Sequence, residues 1–324
     1  MRVVWARLLV ASLLATLTLG PTVAQAEPWR IGRISPNSGE SDAANLNAFR
    51  DGMREMGLQE GRDYLIEAKF ADGRFERLPA IAAELVKAKV DLLLVGSTSG
   101  VRAAKNATST IPIVMVTTGD PVESGLVESL ARPGGNVTGF TALAPDLNDK
   151  RLQLLKEAVP SASQLAVLVN ANSPDRSFAI QRQGAIRTLD LSIEIFEASD
   201  INAIDDAFTK MARSRPLALM VVNDILFISQ RRQIVDLAAR QRLPAIYGER
   251  EFVEAGGFMF YGASLVDLYR RAAGYAHRIL KGAKPRDLPV EQPTRFDSVV
   301  NLKTARGMVI VVPRSLLARA EVIE

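Results

Sequence analysis

The chain has 324 residues, 40 Lys and Arg against 36 Asp and Glu, a formal net charge of +4, one histidine and no cysteine. So even a balance is a poor footprint for nucleic-acid binding, which needs Lys and Arg clustered on one face. Without cysteine there is no thiol catalysis and no disulfide framework, and a single histidine argues against imidazole-built metal sites.

Residues 1–26 do not read as part of a fold. Arg2 and Arg7 form a basic n-region, Leu8 to Leu19 is uncharged and apolar, and Ala24-Gln25-Ala26 supplies small residues for cleavage. That apolar core is well short of the ~20 residues a membrane-spanning helix needs. Residues 1–26 are therefore expected to be a cleaved signal peptide, with the mature chain starting at Glu27. With no cysteine to carry a lipid, the product is expected free in the periplasm, not lipid-anchored and without stable membrane insertion.

From Trp29 the chain alternates short apolar runs with amphipathic stretches. Strands are expected at Trp29–Ile34, Tyr64–Phe70, Asp91–Val95 and Ile111–Val116. Helices are expected at Asn45–Met56, Leu78–Lys87 and Val101–Ala107. Strands alternating with helices imply βαβ units and a mainly parallel sheet. The same order recurs about 130 residues later. Leu165–Val169 matches the first strand, QRQGAIRTLD (181–190) matches FRDGMREMGL (49–58), and Leu219–Val222 matches Leu92–Val95. Arg242-Leu243-Pro244-Ala245 likewise matches Thr110-Ile111-Pro112-Ile113. The reading is two similar lobes, and the length suits two domains of ordinary size.

Several pieces do not fit a simple tandem. They are a strand at Phe258–Gly262, a long helix at Leu265–Leu280, a Pro-rich connector over Lys281–Pro293, a strand at Phe296–Leu302 and a short helix over Pro313–Ile323. A chain that crosses between the lobes more than once accounts for them.

In open parallel sheets, ligands bind beyond the carboxyl ends of the strands. In the first half those positions hold Asn37, Ser38, Ser97, Thr98, Ser99 and Asp120; in the second, Asn170, Asn172, Asn223, Asp224, Tyr247 and Glu249. Ser97-Thr98-Ser99-Gly100 follows a buried strand and opens a helix, a position suited to a carboxylate or phosphate and equally to simple N-capping. Asp120 and Asp224 are placed to pair with a ligand ammonium group, although Asp-Pro also starts turns. Among Phe140, Phe227, Tyr247, Phe252 and Tyr261, near the expected cleft or hinges, Tyr247 is the one expected to stack on a ligand. No phosphate loop, dinucleotide fingerprint or serine nucleophile elbow is present, and His277 lies far in sequence from every cleft loop. No cofactor, metal site or catalytic residue is expected.

The runs FADGRFERLPAIAAELV (70–86), IPIVMVTTGDPVESGLVESLARPGGNVTGFT (111–141), LPAIYGEREFVEAGGFMFYG (243–262) and PVEQPTRFDSVVNLKTA (289–305) carry a resemblance. They resemble the ABC transporter substrate-binding proteins whose characterised members take up tryptophan, phenylalanine or related amino acids. The resemblance implies an α/β fold of two Rossmann-like lobes with parallel sheets joined by a three-strand hinge, the type I periplasmic binding protein fold. Projected here, it puts hinge strands near Thr138–Ala142, Tyr261–Ser264 and Thr294–Ser298. Lobe 1 becomes 27–140 plus 263–294, and lobe 2 becomes 141–262 plus 295–324. Ser97, Thr98, Asp120, Asn170 and Asp224 fall at cleft positions of that fold. The implied partners are a small-molecule ligand and an inner-membrane ABC permease with its ATPase, served by a monomer without nucleic acid. The segment Ser35-Pro36-Asn37-Ser38-Gly39-Glu40 varies between relatives, so the ligand can differ from theirs. A ligand-sensing subunit with the same fold and an exported α/β enzyme are the alternatives.

Overall fold

The computed structural model describes residues 27–142, 147–172, 186 and 188–324. The expected signal peptide, and Gly184 of the repeat, lie outside the described residues.

The first sheet is built from β1 (Trp29–Ser35), β2 (Tyr64–Phe70), β3 (Leu92–Gly96), β4 (Ile113–Thr118) and β5 (Val137–Thr141). Its order is β2-β1-β3-β4-β5, and every pairing is parallel. The runs Leu92–Val95 and Ile113–Val116 are buried on both faces because helices cover both sides. On one face lies α1 (Gly39–Glu55), whose Leu46, Phe49 and Met53 form a buried stripe at helical spacing. On the other lie α2 (Leu78–Lys87) and α3 (Thr98–Ala107), which contribute Ile81, Leu85, Val101 and Ala104 to a second core.

α1 starts six residues before the expected Asn45. Its first turn, Gly39-Glu40-Ser41-Asp42, carries no apolar period, but Ser38 caps it and its two acids suit the positive end of the helix dipole.

The second sheet holds β6 (Gln164–Asn170), β7 (Ser192–Ala198), β8 (Ala218–Val221), β9 (Ala245–Tyr247), β10 (Met259–Ala263), β11 (Phe296–Asn301) and β12 (Glu321–Ile323). Its order is β12-β11-β10-β9-β8-β6-β7. The stretch β7-β6-β8-β9-β10 is parallel throughout and repeats the strand order of the first sheet, as the sequence repeat implied. β11 runs antiparallel to β10, and β12 is parallel to β11. The tail is therefore only partly the helix expected over Pro313–Ile323. A short helix covers Arg314–Leu317, and Glu321-Val322-Ile323 adds an edge strand. Val322 and Ile323 are β-branched residues, which favour a pleated edge.

The chain passes between the sheets three times. After β5 it enters α4 (Leu147–Ala158), which packs on the second sheet through Leu152 and Leu155. After β10 it enters the helix Leu265–Leu280, which returns to the first sheet and buries Leu268, Ala272, Ala273 and Ile279 against Phe49 and Met53. After Glu291, bonded to the backbone of Gly139 and Thr141, it goes back to form β11. The fold is thus two α/β lobes with parallel-dominated sheets. The helices Gly39–Glu55 and Leu265–Leu280 meet at Gly52, where a Cβ would lie 2.3 Å from the carbonyl oxygen of Arg270. Only glycine permits that approach.

Candidate functional site

A 2-1-3-4-5 strand order has its switch point between the first and third strands, where the crossovers leave on opposite faces and open a crevice. Each sheet has one such point. In the first it is flanked by the loops after β1 and β3, and in the second by the loops after β6 and β8.

On the first sheet, Ser38 caps α1, its hydroxyl accepting from the Ser41 N–H at 3.3 Å. Ser97 caps α3, its Oγ accepting from the Gly100 N–H at 3.2 Å. Its backbone sits at φ 74°, ψ 147°, a region almost confined to glycine and costing about 1–3 kcal/mol for other residues. Thr98 Oγ1 accepts from the Gly119 N–H at 3.3 Å, tying the start of α3 to the loop after β4. In that loop Asp120 Oδ1 accepts from the N–H groups of Val122 and Glu123, at 2.8 and 3.0 Å. Asp120 thus holds its own turn. Ser99 Oγ is buried and has no hydrogen-bond partner.

A buried ion pair supports these loops from beneath. Arg33 is 0% exposed and donates to Asp42 Oδ2 at 3.0 Å, Asp42 Oδ1 at 2.6 Å, Tyr269 Oη at 2.7 Å and the Ile34 carbonyl at 2.6 Å. Burial opposes its charge, but Tyr269 and Asp42 outweigh that and hold its pKa above the ordinary value. A Cβ on Gly96 would meet Tyr269 Oη at 2.7 Å, so the network lies directly under the Gly96–Ser97 turn.

On the second sheet, the expected residues Asn170, Asn172 and Asp224 form one chain of contacts. Asn170 Nδ2 donates to Asp224 Oδ1 at 2.9 Å, while Asn170 Oδ1 accepts from the Asn172 N–H at 2.9 Å. Asp224 Oδ1 also accepts from the Leu226 N–H at 2.8 Å, capping the short helix Ile225–Ser229. Next to them, Asn223 Nδ2 donates to Glu249 Oε1 at 2.9 Å and to the Gly248 carbonyl at 3.4 Å.

Two further charged residues lie here that the sequence reading missed. Arg151, 4% exposed, donates through Nε to the Tyr261 carbonyl and through Nη1 to Asn148 Oδ1, each at 2.8 Å. Glu251, at the start of the helix Glu251–Glu254, accepts from Asn37 Nδ2 at 3.4 Å. That bond spans the two lobes and sets the loop after β1 against the loop after β9. Asn223 Oδ1 and Glu251 Oε2 are buried without hydrogen-bond partners. Arg151 could have been noticed: it falls in register with the buried stripe Leu147, Leu154, Leu155 and Ala158, where an unpaired charge is expensive. Glu251 lies in a charged run, Glu249-Arg250-Glu251, that reads as an exposed turn.

Burial and the neighbouring Glu251 push Glu249 up to about 8, against the pull of Arg151. Burial is also the main cause that raises Glu251, and it brings Arg151 down to about 10. The second-lobe wall is therefore dry, and burial holds its two carboxyl groups towards the neutral form.

Tyr247, expected to offer its ring to a ligand, packs into the core of the second lobe instead. It is 1% exposed and stacks on Phe252, with ring centroids 4.5 Å apart. Phe227 and Phe252 belong to the same core. Phe140 meets Tyr275 edge-on, and half-buried Tyr261 stacks on Phe296 where β10 and β11 pair. Among the described residues, no group of three or more His, Cys, Asp and Glu is arranged to hold a metal ion. Nor is any described helix long and apolar enough to cross a membrane.

A family model described as ABC transporter substrate binding protein matches residues 31–323. A tyrosine-binding protein from Clostridioides difficile is 28% identical over 262 residues, covering 80% of this chain and 75% of the relative. A structure of an ABC domain in complex with L-Trp from Streptococcus pneumoniae superposes with a TM-score of 0.78 at 25% identity, over 92% of this chain and 100% of that one. The ligand-free, open structure of a Clostridium difficile substrate binding protein with adhesive properties shares the fold, with a TM-score of 0.72 at 24% identity, over 91% and 99%.

Proposed function

The chain belongs to the ABC transporter substrate binding protein family, and on that premise we propose that it captures a small ligand, an amino acid (aromatic ones included) or a related small carboxylate, between its lobes for delivery to a membrane permease. The observation that carries this reading is a contact between the carboxyl-end loops of the two sheets: the Asn37–Glu251 bond joins the loop after β1, at the first switch point, to the loop after β9.

In this reading the ligand sits among Asn37, Ser38, Ser97, Thr98, Asp120, Asn170, Asn172, Asn223 and Asp224. A ligand carboxylate is met at the start of α3, where Ser97 and Thr98 precede backbone N–H groups at the positive end of a helix of ten residues. The printed ligands of two relatives, tyrosine and L-Trp, support an amino acid as the class. The lobes are 27–140 plus 263–294 and 141–262 plus 295–324, hinged at the three crossings. Ligand bound on one lobe gains the contacts of the other on closure, which shifts the population to the closed form. Residues 1–26 direct export to the periplasm.

A thermal-shift screen of the mature chain against the amino acids and small aromatic carboxylates tests the reading. A ligand that binds only the folded state raises the melting temperature by mass action, by about 2.7 kcal/mol of stability at a hundredfold excess over Kd. We expect a rise with at least one amino acid. No rise with any of them overturns the ligand class.

A further inference from the structure

The two oxygens of the Glu251 carboxylate have unequal surroundings. Oε1 accepts from Asn37 Nδ2 of the other lobe, whereas Oε2 is buried with no hydrogen-bond partner. A second buried acceptor on the same wall is in the same condition. Asn223 has committed its amide nitrogen to Glu249 Oε1 and the Gly248 carbonyl, which leaves Oδ1 as the end without a partner. A Cβ on Gly248 would lie 1.6 Å from that oxygen, so Oδ1 rests directly over the turn that leads to Glu249 and Glu251.

What these atoms lack is a donor, and the charge around them says which kind. Burial raises both Glu249 and Glu251, with Glu251 adding to the shift of Glu249 and Glu254 to that of Glu251. The cations nearby are Arg151 and Arg231. Arg151 gives Nε to the Tyr261 carbonyl and Nη1 to Asn148 and keeps Nη2 beside the Gly248 turn, while Arg231 donates to the Ile228 carbonyl, so neither cation is bonded to Glu251 Oε2. A hydroxyl brings one donor and no charge. A primary ammonium brings three donors and the missing positive charge. Asp120 and Asp224, the carboxylates expected from the sequence to meet an ammonium group, each already hold a turn or helix start with Oδ1.

We propose that Glu251 Oε2 and Asn223 Oδ1 form the subsite for a primary ammonium group of the ligand, with the Glu249 carboxyl behind them. The inference rests on the solute-binding reading above and deepens it. Because the same carboxylate also holds Asn37, the residue that senses the amine is the one that fastens the lobes together. The ligand class is then an amino acid or another primary amine, and an amine-free carboxylate is a poor substitute.

Calorimetry on the mature full-length chain tests this, with L-tyrosine and L-tryptophan each paired with its des-amino acid. Wild type is expected to bind at least one of the amino acids at least 100-fold tighter than its des-amino partner. Glu251→Gln is expected to lose at least tenfold for the amino acid while the des-amino acid changes less than twofold. Wild type should also release protons on binding the amino acid, read as different heats in two buffers of unequal ionisation enthalpy. Glu251→Asp, which keeps the charge but withdraws it by one methylene, serves if the glutamine variant does not fold; it should narrow the same ratio. Equal binding of amino acid and des-amino acid, or equal losses for both in the variants, overturns the subsite and leaves solute binding standing. If neither amino acid binds wild type, the pair is replaced by whichever amino acid raises the melting temperature in the screen and its des-amino acid; if none does, the amino-acid reading falls and the subsite with it.

Discussion

At the scale of single residues, the second-lobe wall is defined by carboxyl groups kept out of water. Glu249 holds its proton up to about pH 8 in the folded chain, whereas its ordinary value is near 4.5. Between those limits the folded state binds more protons than the unfolded one, so stability is full below the lower value and is lost as pH rises towards the upper. Glu249→Gln removes the group. From pH 5 to pH 9 the variant is expected to lose less stability than wild type, by a free energy on the order of 3 kcal/mol, with the buried Glu251 leaving some slope in both. Urea denaturation across that range measures it, and parallel curves for the two proteins would show that Glu249 titrates normally. This residue scale is also where the sequence was least legible. That Asn170, Asn172 and Asp224 lie together at strand ends was legible because polar residues there are positional signals, whereas Arg151 and Glu251 depend on which neighbours the fold brings round them. Asp120 and Tyr247 have the right chemistry at the right loop, yet one caps its turn and the other fills the core.

Among elements, the join between the helices Gly39–Glu55 and Leu265–Leu280 carries the first lobe. It buries Phe49, Met53, Leu268, Ala272 and Ala273 in one cluster, each large apolar side chain contributing about 1.5–3 kcal/mol. Gly52→Ala would force a methyl group into the Arg270 carbonyl and the Ala273 side chain, with ideal distances of 2.3 and 2.8 Å. Overpacking of this kind costs about 1–3 kcal/mol, and the expected result is a lower urea midpoint with ligand selectivity unchanged. A variant as stable as wild type would mean the helices separate freely there. Most elements were readable in the sequence because buried parallel strands and amphipathic helices leave strong periodic signals; Tyr64–Phe70, Leu78–Lys87 and Leu265–Leu280 fall on their expected limits. The start of α1 and the edge strand Glu321–Ile323 were not, since a polar first turn has no period and a three-residue edge strand is made by its partner β11.

For the whole molecule, the three crossings have a temporal consequence. The helix Leu265–Leu280 covers one face of a sheet whose last strand, β5, ends at Thr141. More than a hundred residues of the second lobe are therefore made before the first can bury its core, and the second lobe in turn waits for β11 and β12. Contacts so distant in sequence fold slowly, because loop closure precedes any gain from packing. A chain ending at Ala263 is expected to keep an uncovered apolar face on the first sheet and to aggregate or be cleaved rapidly by protease. A protease-resistant first half would show that the sheet closes without its returning helix. During synthesis, then, neither lobe can mature ahead of the other: a nascent chain of this order stays pliable along its length until its last sixty residues arrive.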